Sequence, residues 1–254
     1  MEVMTMKYLL ATTGSIEKGV GFSHYDSCHI AWLIFAAVCI AGCCLLYRKM
    51  GERGRRRMRF AIAGLIIADE LLKMAVLIIG DNYTKNYLPL HLCSVNLFLI
   101  AWHAFRPTKT LDNFLYVACI PGALAALLFP SWTKLPPTAL MHIHSFTFHI
   151  LLVCYPAMLL AGRDMRPDVR VVPKVLLLLA CLAGVAAITN AILATNYMYL
   201  AEAEKGNLLY WFEKNMGSHY WGFAVILPLL VVGMYAPQIA RIVKSVFQKR
   251  RLVI

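Results

Sequence analysis

The chain has 254 residues, of which 60% are hydrophobic and only 15% charged, with a formal net charge of +12. A soluble domain of this length would spread charge over its whole surface. Here the charges fall in clusters between apolar runs, which excludes an ordinary globular enzyme and reads as a membrane protein. The basic balance does not point to nucleic acid either, and no nucleotide, flavin or nucleic-acid motif is present.

In chain order, seven apolar runs appear at about 29–47, 60–80, 88–105, 114–129, 140–161, 175–195 and 221–239. Each is near the ~20 residues that cross a bilayer, the fourth being short. The runs are continuous rather than alternating, so helices are expected and a β-barrel is not. The fold class is therefore all-α, a polytopic bundle of seven transmembrane helices. Residues 1–28 are expected to be an extracytoplasmic leader, 29–240 the membrane domain and 241–254 a basic cytoplasmic tail. The apolar patch Tyr8 to Ala11 is too short for a signal-peptide core, so the first span is expected to anchor insertion itself.

The cations divide by side. Arg48, Lys49, Arg53, Arg55, Arg56, Arg57 and Arg59 fill the first expected loop; Arg106 and Lys109 lie in the third. Arg163, Arg166, Arg170 and Lys174 lie in the fifth, and Arg241, Lys244, Lys249, Arg250 and Arg251 in the tail. The opposite side holds only Lys7, Lys18, Lys85, Lys134, Lys205 and Lys214. By the positive-inside rule the N-terminus is outside and the C-terminus cytoplasmic. Membrane lipids are the expected partners, with anionic headgroups at the basic loops, and a plasma-membrane location follows.

Eight cysteines are present, most of them inside apolar runs, where a free thiol packs as a small hydrophobe. Only Cys28 and Cys93 lie near external span ends, so a bridge between them is the one disulfide to consider. No Cys-x-x-Cys metal pair occurs.

Span 2 carries Asp69, Glu70 and Lys73. Spacings of i,i+4 and i,i+3 allow either carboxylate to pair with Lys73 on one helix face. Glu70 has a second option, orienting a histidine from another span. An unpaired charge at the centre of a membrane helix costs ~3 kcal/mol, so some partner is required.

Span 3 opens with Leu88-Pro89-Leu90-His91-Leu92-Cys93. A cysteine with a histidine suggests a nucleophile and its base. In a regular helix, however, residues two apart face nearly opposite ways. Either Pro89 leaves this turn irregular, or the base for Cys93 comes from elsewhere, with His144 or His149 the candidates. Asn96, three residues beyond Cys93, would lie beside it. Span 5 carries His142, His144 and His149, the first and last sharing a face. Span 6 ends in Thr195-Asn196-Tyr197, and the aromatic residues around it suit a membrane-interface belt. His29 opens span 1, and His103, toward the cytoplasm, is expected to be structural.

These residues carry a resemblance. His29, Glu70, Leu88 to Cys93, Phe129-Pro130, His142 to His149 and Thr195-Asn196-Tyr197 resemble, in order and spacing, the YwaF-type bacterial integral membrane proteins. Those are similar in turn to the animal transmembrane protein 164 family. The resemblance implies acyl transfer to lysophospholipids, ether lipids in particular, through a cysteine acyl-enzyme. It extends to small membrane hydrolases that use a threonine nucleophile and a histidine. The animal cysteine directly follows the proline, where this chain has Leu90, and the animal histidine corresponds to His91. Cys93 stands two residues later, and Ser94 occupies a position that is often acidic in bacterial members.

Three functions are thus expected to compete. The first is a lipid acyltransferase or hydrolase with Cys93 as nucleophile and His144 or His149 as base, His91 in the site, and Asn96, Asn196 or Tyr197 donating to the oxyanion. Glu70, Lys73 and Thr195 would complete the substrate site, with no cofactor and no metal. The second is a transporter or lipid-binding protein using the same groups without chemistry. The third is a zinc hydrolase ligated by His142, His149 and His91 or His29, with Glu70 as base.

Overall fold

The computed structural model describes residues 8–12, 16, 19–204 and 208–251, with the side chains at 243 and 245–251 not described. Lys7, Lys18, Lys205, much of the expected leader and residues 252–254 lie outside the described residues. All regular structure among the described residues is helical. The helices are α1 (Ser27–Lys49), α2 (Glu52–Ile79), α3 (Leu92–Phe105), α4 (Lys109–Phe114), α5 (Ile120–Leu128), α6 (Leu140–Gly162), α7 (Val172–Leu193), α8 (Leu208–Met216) and α9 (Tyr220–Arg251).

Five segments are long and apolar enough to cross a membrane: Ser27–Lys49, Lys109–Leu128, Leu140–Gly162, Val169–Leu193 and Tyr220–Ile242. The two remaining expected spans differ for separate reasons. Helix α2 is 28 residues long, but its apolar part carries Asp69, Glu70 and Lys73. Helix α3 has 14 residues, a rise of about 21 Å against a hydrocarbon core of ~30 Å.

Two boundaries depart from the sequence reading. The stretch from Arg53 to Arg59, expected as loop, is the first two turns of α2, which begins after Gly51. Arginine and methionine are good helix formers, and nothing between Glu52 and Phe60 breaks a helix except the tolerated Gly54. Span 3 begins later than expected. Leu88 is held extended (φ −58°, ψ 142°) ahead of Pro89, as the proline ring demands of the residue before it, and the helix starts only at Leu92. At the other end of the chain, α9 carries the basic tail in helical form as far as Arg251.

The chain divides into two compact units, 1–107 with 118–165 and 108–117 with 166–254. In the first, α6 is the central element: α1, α2, α3 and α5 all pack on it. Its apolar stretch is 56% buried, against 11% for α1. Helix α6 also contains Pro156, which cannot donate to the carbonyl of Leu152. The Cys119 thiol donates to that oxygen instead, at 3.4 Å.

The second unit is tied by polar side chains. Asn113 Oδ1 accepts from the Asp168 amide (2.7 Å) and the Tyr235 hydroxyl (2.6 Å). Gln238 accepts from the Val169 amide and donates to the Pro167 carbonyl. The contacts to Pro167, Asp168 and Val169 satisfy backbone that lipid could not.

Candidate functional site

The first unit gathers its buried polar groups on α6 and the helices around it. Four histidines can be separated by their hydrogen bonds. His29 Nδ1 accepts from the Tyr25 amide (2.9 Å) and Nε2 donates to the Leu127 carbonyl (2.8 Å). His142 Nε2 accepts from the Trp32 indole (2.9 Å) and Nδ1 donates to the Leu135 carbonyl (3.2 Å). In both rings both nitrogens are thus committed to hydrogen bonds.

His149 and His144 differ. His149 Nδ1 lies 2.6 Å from the Ser145 carbonyl, which fixes the proton on Nδ1 and leaves Nε2 the acceptor. Its ring stacks on Trp132 with centroids 5.3 Å apart. His144 Nδ1 faces Asp69 Oδ1 at 3.3 Å, across the α2–α6 contact. The alignment falls short of a full hydrogen bond. Thr147 Oγ1 sits 2.9 Å from Asp69 Oδ2 and equally far from its own helix carbonyl, Ile143 O. Asp69 thus holds two groups of one α6 face, and His144 Nε2 has no hydrogen-bond partner among the described residues.

Sequence reasoning left the carboxylates of span 2 unresolved, and the structure divides them. Lys73 pairs with Glu70, not Asp69; Glu70 does not orient a histidine, and Asp69 does. Both carboxylates flank Lys73 on the helix surface, three and four residues before it; the lysine takes Glu70, and Asp69 is left to meet α6. Glu70 and Lys73 are each 8% exposed. The second carboxylate oxygen of Glu70 is buried without a hydrogen-bond partner, as is Oδ1 of Asn96 on the adjoining α3.

The Pro89 turn is irregular. His91 is the N-cap residue of α3 with extended backbone (φ −68°, ψ 150°), so Cys93 is the second residue of the helix. Cys93 is half-buried, and all eight cysteines are free, Cys28 included. The described side-chain contacts of His144 and His149 run to Asp69, Ser145, Trp132 and Phe148 rather than to Cys93. His103 Nδ1 lies 2.9 Å from the Tyr155 hydroxyl.

Thr195, Asn196 and Tyr197 lie in the second unit and serve its backbone. Buried Asn190 accepts from Thr195 Oγ1 (3.0 Å) and the Tyr197 amide (2.7 Å) and donates to the Tyr197 carbonyl (3.0 Å). Asn196 accepts from the Ala201 and Glu202 amides. These bonds hold a turn with left-handed backbone at Ala194, Met198 and Tyr199, a conformation costing roughly 1–2 kcal/mol for a residue with a Cβ. Tyr197 is fully buried and so is no part of an interfacial belt. No three histidine, cysteine or acidic side chains come together to hold a metal among the described residues. With His142 committed on both nitrogens, the zinc set read from the sequence is not assembled.

An all-helical chain with five bilayer-length apolar segments and a buried histidine–carboxylate centre is a multi-pass membrane protein. The profile of the TMEM164 family matches residues 21–236, and the chain belongs to that family. No curated protein and no solved structure gives a match.

Proposed function

We propose that the chain processes membrane lipids, as an acyltransferase or hydrolase acting on a phospholipid or lysophospholipid from a site within the bilayer. The observation that carries this is the buried Asp69–His144 pair, the arrangement in which a carboxylate on Nδ1 orients an imidazole so that Nε2 can take a proton. Family membership supports it.

Cys93 is the nucleophile in this reading. Its thiol proton passes to His144 Nε2, and the sulfur bonds to the acyl carbon of a lipid ester. The ester C–O bond breaks, and the departing oxygen takes the proton from the imidazolium. A lysophospholipid hydroxyl, or water, then gives its proton to His144 and attacks the thioester, releasing the acyl product and the free thiol. His149 is the alternative base. The α3 amides, with Asn96, face the developing oxyanion. Glu70, Lys73 and His91 bind the polar part of the substrate, and Thr195, Asn196 and Tyr197 shape the second unit. Two helices beyond the five complete seven crossings of the plasma membrane, N-terminus outside, with the basic segments against cytoplasmic anionic headgroups.

The test is labelling with an acyl-type electrophile. Cys93→Ala should abolish labelling and Cys154→Ala should not; equal labelling of the two variants removes the mechanism. Lipid flux in liposomes without product would instead make the chain a transporter or lipid-binding protein.

A further inference from the structure

A second polar centre lies at the far end of α6, whose last residue, Gly162, stands about 27 Å along the helix from His144. It is built where α1 and α6 end and α2 begins. Gly162, the last residue of α6, lies so close to Tyr47 that an added Cβ would sit 2.6 Å from the ring. Tyr47 is completely buried and donates its hydroxyl to Asp164 Oδ2 at 2.6 Å. Arg55 reaches from α2 to Asp164 Oδ1 (2.7 Å), the Gly162 carbonyl (2.9 Å) and the Met50 carbonyl (3.0 Å). Arg55 and Tyr47 together use both oxygens of Asp164, so its charge is spent.

The local charge is nevertheless positive. A cleft of about 400 Å³ opens here, lined by Arg48, Arg55, Leu160, Ala161, Gly162 and Arg163. Helix C-termini attract cations, and Arg55 already meets that need for α6. Arg48 and Arg163 are in surplus: both are exposed, and neither guanidinium has an anionic partner among the described residues. Arg163 is fixed in left-handed backbone as the α6 cap (φ 62°). Nearby Arg59 adds a buried Nε with no hydrogen-bond partner.

We infer that this cleft binds a phosphate-bearing anion between Arg48 and Arg163, with Arg55 as its pinned floor. Two guanidinium forks, one at the end of α1 and one at the end of α6, suit the several oxygens of a phosphate monoester better than a single carboxylate. The apolar wall of Leu160 and Ala161 suits a molecule with a lipid tail. The site is independent of the proposed chemistry at Cys93.

The intact protein in detergent is titrated with short-chain phosphatidic acid, with the matching diacylglycerol and with inorganic phosphate, following its melting temperature. Phosphatidic acid should raise the melting temperature of the wild type and of Cys93→Ala alike. In Arg48→Gln/Arg163→Gln it should need about tenfold more ligand, the loss of two charge-assisted contacts. Inorganic phosphate that reproduces the shift, and loses it in the same variant, assigns the site to a soluble anion. Diacylglycerol matching phosphatidic acid, or a variant titrating like the wild type, overturns the inference. Should the glutamine pair fail to fold, Arg48→Lys/Arg163→Lys keeps the charge without the forks and must still bind more weakly than wild type.

Discussion

Asp69→Asn isolates what the carboxylate does, because the amide keeps its volume and removes its charge. A proton arriving on His144 creates an imidazolium with its Nδ1 3.3 Å from Asp69 Oδ1. At an effective dielectric constant of about 20, unit charges at that separation attract by about 5 kcal/mol. Each 1.36 kcal/mol is about one decade of rate, so removing the charge should slow proton transfer by about a thousandfold or more. The amide also inverts the tautomer: its NH2 donates toward Nδ1 and pushes the imidazole proton to Nε2, the nitrogen that must accept. Two measurements read these effects separately. The single-turnover rate of Cys93 labelling should collapse, and the imidazole 15N shifts of His144 should change from the Nδ1–H to the Nε2–H pattern. Melting should move little, since Thr147 keeps its helix carbonyl. An Asp69→Asn protein that labels at the wild-type rate, with His144 shifts unchanged, would refute the assignment of this pair as the proton-handling centre.

Other substitutions test the frame that holds it. Gly162→Ala drives a methyl into the Tyr47 ring and should cost about 1–3 kcal/mol by overpacking, read as a lowered unfolding midpoint. Glu70→Leu strands the buried Lys73 charge and should destabilise by about 3–5 kcal/mol, whereas Glu70→Leu with Lys73→Met should recover most of the loss; a double variant as weak as the single would show that the pair matters beyond its own neutrality. At the start of α1, Asp26 accepts the His29 and Ser23 amides, and these bonds, the His29 one first, hold its carboxyl below the ordinary value of 3.8. The sign follows from that depression: the cap stabilises above 3.8 and is lost as pH falls through the lowered value. Hydrogen exchange of the His29 amide should therefore become faster, relative to neighbouring amides, on acidification below 3.8, and Asp26→Asn should abolish the dependence.

Much of the helical frame is legible in the chain because lipid imposes one rule on every residue: an apolar run needs its backbone bonded internally. The late start of α3 is not legible from hydropathy, which opens the span at residue 88; it follows from the constraint Pro89 places on Leu88. The arginine run misleads because charge marks where a helix meets water but not whether it ends there; Arg53 to Arg59 are as helical as the apolar turns that follow. The candidate site is only half readable. Asp69, Glu70 and Lys73 announce that charges must be neutralised, but a one-residue rotation decides which carboxylate turns inward, and the packing of α6 on α2 sets that rotation. Thr195 to Tyr197 stand out as polar residues at a helix end, yet their work is set by Asn190, a turn away inside α7. The arginine cleft is unreadable for the same reason, since Arg48, Arg55 and Arg163 become neighbours only when Gly162 lets α6 close on Tyr47.

The thiol that answers Pro156 binds two distant positions into one evolutionary choice. With proline at 156 the Leu152 oxygen needs a foreign donor, and position 119 must keep a side chain able to give one. Replace the proline and the helix supplies its own amide, releasing position 119 to any residue small enough to fit. Among related chains these two sites should therefore change together, cysteine or serine travelling with proline, and drift independently where the proline is gone.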